Sequence, residues 1–365
     1  MVWICSPAKA LILSVLITLL PGLIVTVQAA SIYAASDNPP IASNLPVAVI
    51  ISREIKPFIE MVEGFESAID QPVVRIFLDQ NSNPFSHDPL YKDTLIDNYS
   101  FVIAVGPSAL SYIVQNNNWA NDKISKNSHT VDNQLLTDDV KLKSNQLSLS
   151  IARKVLYAMV LNPETIIPEG VSICGISLNL FSEDTVSKII QIFPSVRKLG
   201  VLFDPENNSE WFKRAKNSGV FRGITTVLPL YIREQADISS LNKQDGSNVD
   251  ALLFIPDKTV TSPTIISHII KQSIAKKIPV IGYNSFFHKS GAALSFILDY
   301  RLIGEQMAQK VMAISRGDSS QEKFSHRKSC EPSTPAYHIT LNRAVVELLE
   351  LDFGSSLPSE LRVEP

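Results

Sequence analysis

Short unbroken runs of apolar and β-branched residues, each followed by a segment with apolar residues at helical spacing, constrain this chain more than any other feature. Leu45–Ser52 (LPVAVIIS) precedes Phe58, Met61, Val62, Phe65 and Ile69, and Val73–Leu78, Phe101–Val105 and Val155–Val160 continue the series. Runs without polar alternation suit parallel strands covered on both faces, and their succession with amphipathic segments is the βαβ signature. An α/β fold with parallel sheets is expected.

The second half repeats the rhythm. Ser182 reads as an N-cap with Glu183 and Asp184 in the first turn, Val186, Ile189, Ile190 and Phe193 form an apolar face, and Pro194 ends the helix. Strands are expected at Leu199–Phe203, Thr225–Leu230, Ala251–Ile255 and Pro279–Gly282. Helical faces are expected over Pro263–Lys276 and Tyr300–Ser315, the latter stopped by Gly317. The pattern divides the chain into a lobe over 45–174, a lobe over 175–295 and a closing segment over 296–365. A stretch rich in Asn, Lys, Asp and Ser, 115–145, interrupts the first lobe as a solvated insertion or a functional lid.

With 33 Lys+Arg against 36 Asp+Glu, the chain shows no surface designed to neutralise phosphates, so nucleic acid is a poor partner. Residues 1–30 read as an export signal: Lys9, an apolar run from Leu11 to Val27, and a small-residue cleavage site at Ala29 or Ala30. The run approaches the ~20 residues that span a bilayer, so an uncleaved anchor is the alternative. Cys174 and Cys330 then face an oxidising compartment, where Cys174 is either a buried thiol or half of a Cys174–Cys330 bridge.

Ligands of open parallel sheets bind beyond the carboxyl ends of the strands, so the residues just after each run are the candidates. They are Ser52 and Arg53; Gly106, Pro107 and Ser108; Asn162; Asn207; Asp257 and Thr259; and Tyr283, Asn284 and Ser285. Gly106-Pro107-Ser108 opens a helix whose N–H groups can face a carboxylate, or it is an ordinary strand-to-helix turn. Arg53 either pairs with that carboxylate or is a solvated charge beside Glu54. Of Phe286 and Phe287, one is expected in the core.

Catalytic patterns are lacking. The chain has no glycine-rich phosphate loop, HExxH, GxSxG or CxxC, and its six histidines are scattered, with His288 and Asp299 the sole tempting pair. No enzyme, metal or cofactor is indicated.

The segments VGPSAL, VLYAMVLNP, GISLN, FPSVRKLGVLFDPENN, VDALLFIPDKTV and KIPVIGYNSFFHKSGAALSFILDYRLIGEQMAQKV, with the closing ITLNRAVVELLELDFGSSLPSELRVEP, resemble in order and spacing the exported substrate-binding proteins of ABC importers, in the family that includes tryptophan/tyrosine-type binders. The resemblance implies a type I periplasmic binding protein fold: two Rossmann-like lobes joined by three crossovers, near Gly175, around Ala292–Ser295 or the preceding loop, and before Asn342. It further implies a small amino-acid-like or polar solute held by hinge closure, an inner-membrane ABC permease as partner, a periplasmic location and a monomer. A membrane-anchored sensing module of the same fold is the alternative. Gly106, Pro107 and Ser108 match a first-domain loop and Asn162 the polar residue before the family's proline. Asn207, Asp257, Tyr283 and Asn284 fall in second-domain loops. The Ser52-Arg53-Glu54 and Tyr283-Asn284-Ser285 loops depart from the aromatic amino-acid binders.

Overall fold

A computed structural model describes residues 45–88, 98–116, 154–221, 226–233, 249–257, 259, 262–315 and 333–364, all within one compact unit, Pro40–Pro365. The leader, the 115–145 insertion apart from its first two residues, Gly317 and Cys330 lie outside them.

The first sheet is built from β1 (Val47–Ile51), β2 (Val73–Leu78), β3 (Pro84–Phe85), β4 (Phe101–Val105), β5 (Val155–Val160) and β6 (Cys174–Ser177), in the order β3-β2-β1-β4-β5-β6. Every pairing in it is parallel except the short β2–β3 contact. Helix α1 (Lys56–Ser67), opened by Pro57, and α2 (Pro107–Asn116) follow β1 and β4.

The second sheet holds β7 (Lys198–Phe203), β8 (Thr226–Tyr231), β9 (Ala251–Phe254), β10 (Val280–Gly282), β11 (Leu294–Leu298), β12 (Tyr337–Asn342) and β13 (Leu361–Glu364), ordered β13-β12-β11-β10-β9-β7-β8. The β11–β12 pair alone is antiparallel. Helices α3 (Ser182–Ile192), α4 (Pro205–Phe221), α5 (Pro263–Ala275), α6 (Ser285–Lys289), α7 (Tyr300–Ser315) and α8 (Arg343–Leu349) complete the fold. The runs VAVII, FVIAV, VLYAMV and ALLF are wholly buried, as strands covered on both faces should be.

Three expectations are corrected. Val73–Leu78 alternates half-buried and buried residues, so only one face of β2 is fully covered. Its outward Arg75 pairs with Glu66 of α1, Nε to Oε1 at 2.7 Å. Ser182 is the first helical residue and not the cap, since Phe181 holds the extended cap position and the Ser182 hydroxyl turns to Glu183. The chain leaves the second sheet after Leu298, not around Ala292–Ser295, because Leu294–Leu298 is itself a strand of that sheet.

After Leu298 the chain crosses to the first lobe. Ile303, Met307, Ala308 and Val311 of α7 share a core with Phe58, Met61, Val62 and Phe65 of α1 and the inner face of the first sheet. The two helices meet backbone to backbone: a Cβ on Gly304 would overlap the Met61 carbonyl oxygen, and one on Gly64 the Arg301 carbonyl oxygen. From α7 the chain returns to β12 in the second sheet. Cys174, at the start of β6, is disulfide-bonded and therefore not a free thiol.

Beside α6, one face of β11 and β12 carries buried polar atoms without a hydrogen-bond partner among the described residues: Ser295 Oγ opposite Thr340 Oγ1, and His338 Nδ1 two residues along. Burial, aided by the nearby Arg362 charge, holds the His338 pKa below its ordinary 6.5, against the weaker pull of Asp299 and Glu364. On acidification the unfolded chain takes up this proton first. The His338 contribution to stability is thus present above pH 6.5 and lost as pH falls through the depressed folded-state value. His338→Gln should flatten that acid-side decline in urea unfolding measured from pH 7 to pH 5; an unchanged slope would refute it.

Candidate functional site

The carboxyl ends of β5, β6, β9, β10 and β11 converge on one cavity of about 200 Å³. Its first wall is Leu161, just after β5, where a bulge at Met159 (φ 59°) and the left-handed Asn162 (φ 51°) redirect the chain. The second is the β6–α3 crossover, Leu178, Asn179 and Leu180, with Thr185 behind it. The third is the β11–α7 crossover: Phe296, Leu298 and Tyr300. The second lobe closes it with Asn208 and Trp211 of α4, Leu253 to Pro256 at the end of β9, and Gly282, Tyr283 and Asn284 after β10.

Polar side chains at this cavity are oriented by hydrogen bonds to neighbouring backbone and side-chain groups. Asn284 caps α6, its Oδ1 accepting from the N–H groups of Phe286 (3.0 Å) and Phe287 (3.3 Å), so its amide N–H groups remain as donors. Asn179 donates from Nδ2 to Asn162 Oδ1 at 2.6 Å and keeps its own Oδ1 as an acceptor. Asn208 sits at a non-helical kink in α4 and spends its Nδ2 on Asp257 Oδ2 (2.6 Å) and the Pro256 carbonyl (3.3 Å). Trp211 Nε1 donates to the Leu180 carbonyl at 3.1 Å, which ties α4 to the first crossover. Phe287 is fully buried and packs against the Tyr283 ring, centroids 4.8 Å apart and planes tilted by 50°, backing that wall.

Asp204 and Asp257 lie beneath the second-lobe wall, 8% and 7% exposed. Asp257 accepts from Asp204 N (2.8 Å), Asn208 Nδ2 (2.6 Å) and Thr259 N (2.9 Å). Asp204 accepts from Glu206 N (3.0 Å), Asn207 Nδ2 (3.1 Å) and Thr259 Oγ1 (2.8 Å). All six donors are neutral. Burial raises the Tyr283 pKa, with the Asp257 carboxylate adding to the rise, and Tyr300 is raised by burial and then by the Glu60 charge. Both phenols therefore remain protonated donors at neutral pH.

Of the residues singled out in the sequence, Tyr283 and Asn284 line the cavity. Asn162 stands one hydrogen bond behind Asn179, and Asn207, Asp257 and Thr259 belong to the carboxylate network. Ser52 is buried and its Oγ accepts from Ala109 N at 2.8 Å, so it caps α2 from another loop and occupies one of the N–H groups expected to face an anion. Gly106 (φ 91°) leaves room for that cap, because a Cβ there would strike Ser52 Oγ. Arg53, Pro107, Ser108 and Ser285 are exposed, and none is among the cavity's lining residues. His288 contacts Glu364 (3.2 Å), while Asp299 caps α7 through the Leu302 N–H (3.1 Å).

Residue-by-residue reading overlooked Trp211, Phe254, Phe296 and Tyr300. Trp211 had a signal, being a large aromatic set between Asn208-Ser209-Glu210 and Lys213-Arg214. Phe254 and Phe296 are indistinguishable in sequence from core strand residues.

A family model described as ABC transporter substrate binding protein matches residues 121–331. Among solved structures, the ligand-free, open structure of a substrate binding protein with adhesive properties from Clostridium difficile superposes with a TM-score of 0.55 at 13% identity, over 88% of this chain and 99% of that one. A conserved domain protein from Vibrio cholerae O1 biovar eltor gives a TM-score of 0.50 at 17% identity, again over 88% and 99%. These two likenesses bear on the fold alone. No curated protein matches.

Proposed function

The chain belongs to the ABC transporter substrate binding protein family, and from that premise we propose that it is the exported, monomeric solute-receiving component of an importer. It takes a small amino-acid-like or polar ligand into the cavity, closes over it by a hinge motion and delivers it to an inner-membrane permease. Ser52, Gly106, Pro107 and Ser108, outside the cavity as it stands, belong to the first-lobe loops that closure brings toward the ligand.

One observation carries this reading: the cavity lies beyond the carboxyl ends of strands from both sheets, and two of its walls are chain crossovers. Rotation of one lobe against the other must therefore open or narrow it. Its polar groups are amides, hydroxyls and backbone, suited to orienting a ligand whose affinity comes from apolar burial.

Thermal unfolding of the purified protein against amino acids, amines, small peptides, nucleosides and organic acids tests it. A ligand at a hundred times its dissociation constant adds about 2.7 kcal/mol, and a rise in Tm confined to one chemical class is expected. No shift with any class, together with no small molecule retained in native mass spectra of freshly purified protein, would overturn the reading.

A further inference from the structure

The charge pattern around the cavity is one-sided. Among the described residues no lining side chain bears a charge, and Arg53, read from the sequence as either a carboxylate partner or a solvated charge, is exposed and not among the lining residues. Behind the wall stand Asp204 and Asp257, buried, hydrogen-bonded only to neutral donors, and in no ion pair among the described residues. Asp257 reaches the cavity through Asn208 and through its neighbour Pro256, both lining residues. After burial, the Asp257 charge is the second cause that raises the Tyr283 pKa, so this carboxylate acts on a cavity wall.

Beside the donors left on Asn284, Tyr283 and Tyr300, the cavity offers carbonyl oxygens that an ammonium can use. Asn208 has spent both side-chain N–H groups on Asp257 and the Pro256 carbonyl, Asn179 has spent one of its two on Asn162, and both retain their carbonyl oxygens. Around them are the rings of Trp211, Tyr283, Phe254, Phe296 and Tyr300. Aromatic faces attract cations through the ring quadrupole, most strongly where water is excluded, while a carboxylate brought here would be desolvated against like charge with no cation among the described lining residues to meet it.

Resting on the solute-binding reading above, we propose that this cavity takes an aromatic ammonium compound, a single ring bearing a short cationic arm without a carboxylate. The ring stacks among Trp211, Tyr283 and Phe296, and the ammonium donates to the Asn179 and Asn208 carbonyl oxygens on the side of Asp257. The size agrees: a cavity of about 150 Å³ admits benzene, and this one is about 200 Å³.

Calorimetric titration with four phenyl compounds of matched length separates the possibilities: 2-phenylethylammonium, 2-phenylethanol, phenylalanine and 3-phenylpropionate, each also against Trp211→Ala. The ammonium should bind about tenfold more tightly than the neutral alcohol, phenylalanine more weakly than either, and the propionate not measurably, with the ammonium signal lost in Trp211→Ala. Phenylalanine or phenylpropionate binding as tightly as the ammonium, with dependence on Trp211, would overturn the substrate class and leave the solute-binding reading standing. Ammonium binding indifferent to Trp211 would overturn the placement. Failure of all four overturns the class, and the broader thermal screen then decides separately whether the cavity binds any solute.

Discussion

Gly304→Leu should cost roughly 3 kcal/mol or more of stability, read as a fall in the urea midpoint, and should leave much of the chain unfolded at 37 °C. Helices α1 and α7 touch through their backbones at Gly304 and Gly64, so a leucine there cannot be relieved by a rotamer change and must push two helices apart. Helix α7 comes from the second half of the chain and packs into the first-lobe core through Ile303, Met307, Ala308 and Val311. Separating it opens a core and displaces Tyr300, the first residue of α7 and a cavity wall. Gln309→Leu, at an exposed position on the same helix, should change stability by about 0.5 kcal/mol or less. Equal effects of the two substitutions would show that the close crossing is not what matters.

Trp211→Ala should weaken binding of the tightest phenyl compound by about a hundredfold, the scale of losing a buried aromatic anchor. Two contacts are lost together: the ring face toward the ligand and the Nε1–H bond to the Leu180 carbonyl that holds α4 against the β6–α3 crossover. Trp211→Phe separates them by keeping a ring and removing the donor, and an intermediate loss of about tenfold is expected. Were the phenylalanine and alanine variants equally impaired, the tether and not the ring would be the operative contact. An unimpaired alanine variant would remove Trp211 from the site.

Much of the architecture was legible because burial on both faces writes itself as uninterrupted apolar runs. Val47–Ile51, Phe101–Val105 and Ala251–Phe254 are such runs, and the apolar spacing of Phe58, Met61, Val62 and Phe65 marks the buried face of α1. Where burial was one-sided the reading slipped, as at Val73–Leu78. The loops after strands were equally visible, and Tyr283 and Asn284 were found in this way. Position after a strand does not tell which way a side chain faces. Ser52 turned inward to cap α2, Asn207 and Thr259 turned to Asp204, and Arg53 is exposed.

The local pattern of apolar residues, prolines and caps by itself determined that this chain builds parallel α/β layers, since hydrophobic periodicity and turn chemistry act between near neighbours. Which residues share the cavity was decided only by the tertiary structure. Leu161, Asn179, Trp211, Phe254, Tyr283 and Tyr300 are far apart in sequence and meet because sheet order and the return of α7 to the first lobe bring strand ends together. The sign of the field in that cavity has the same origin: with acids and bases nearly balanced along the chain, only folding places Asp204 and Asp257 behind the wall and leaves Arg53 outside the cavity.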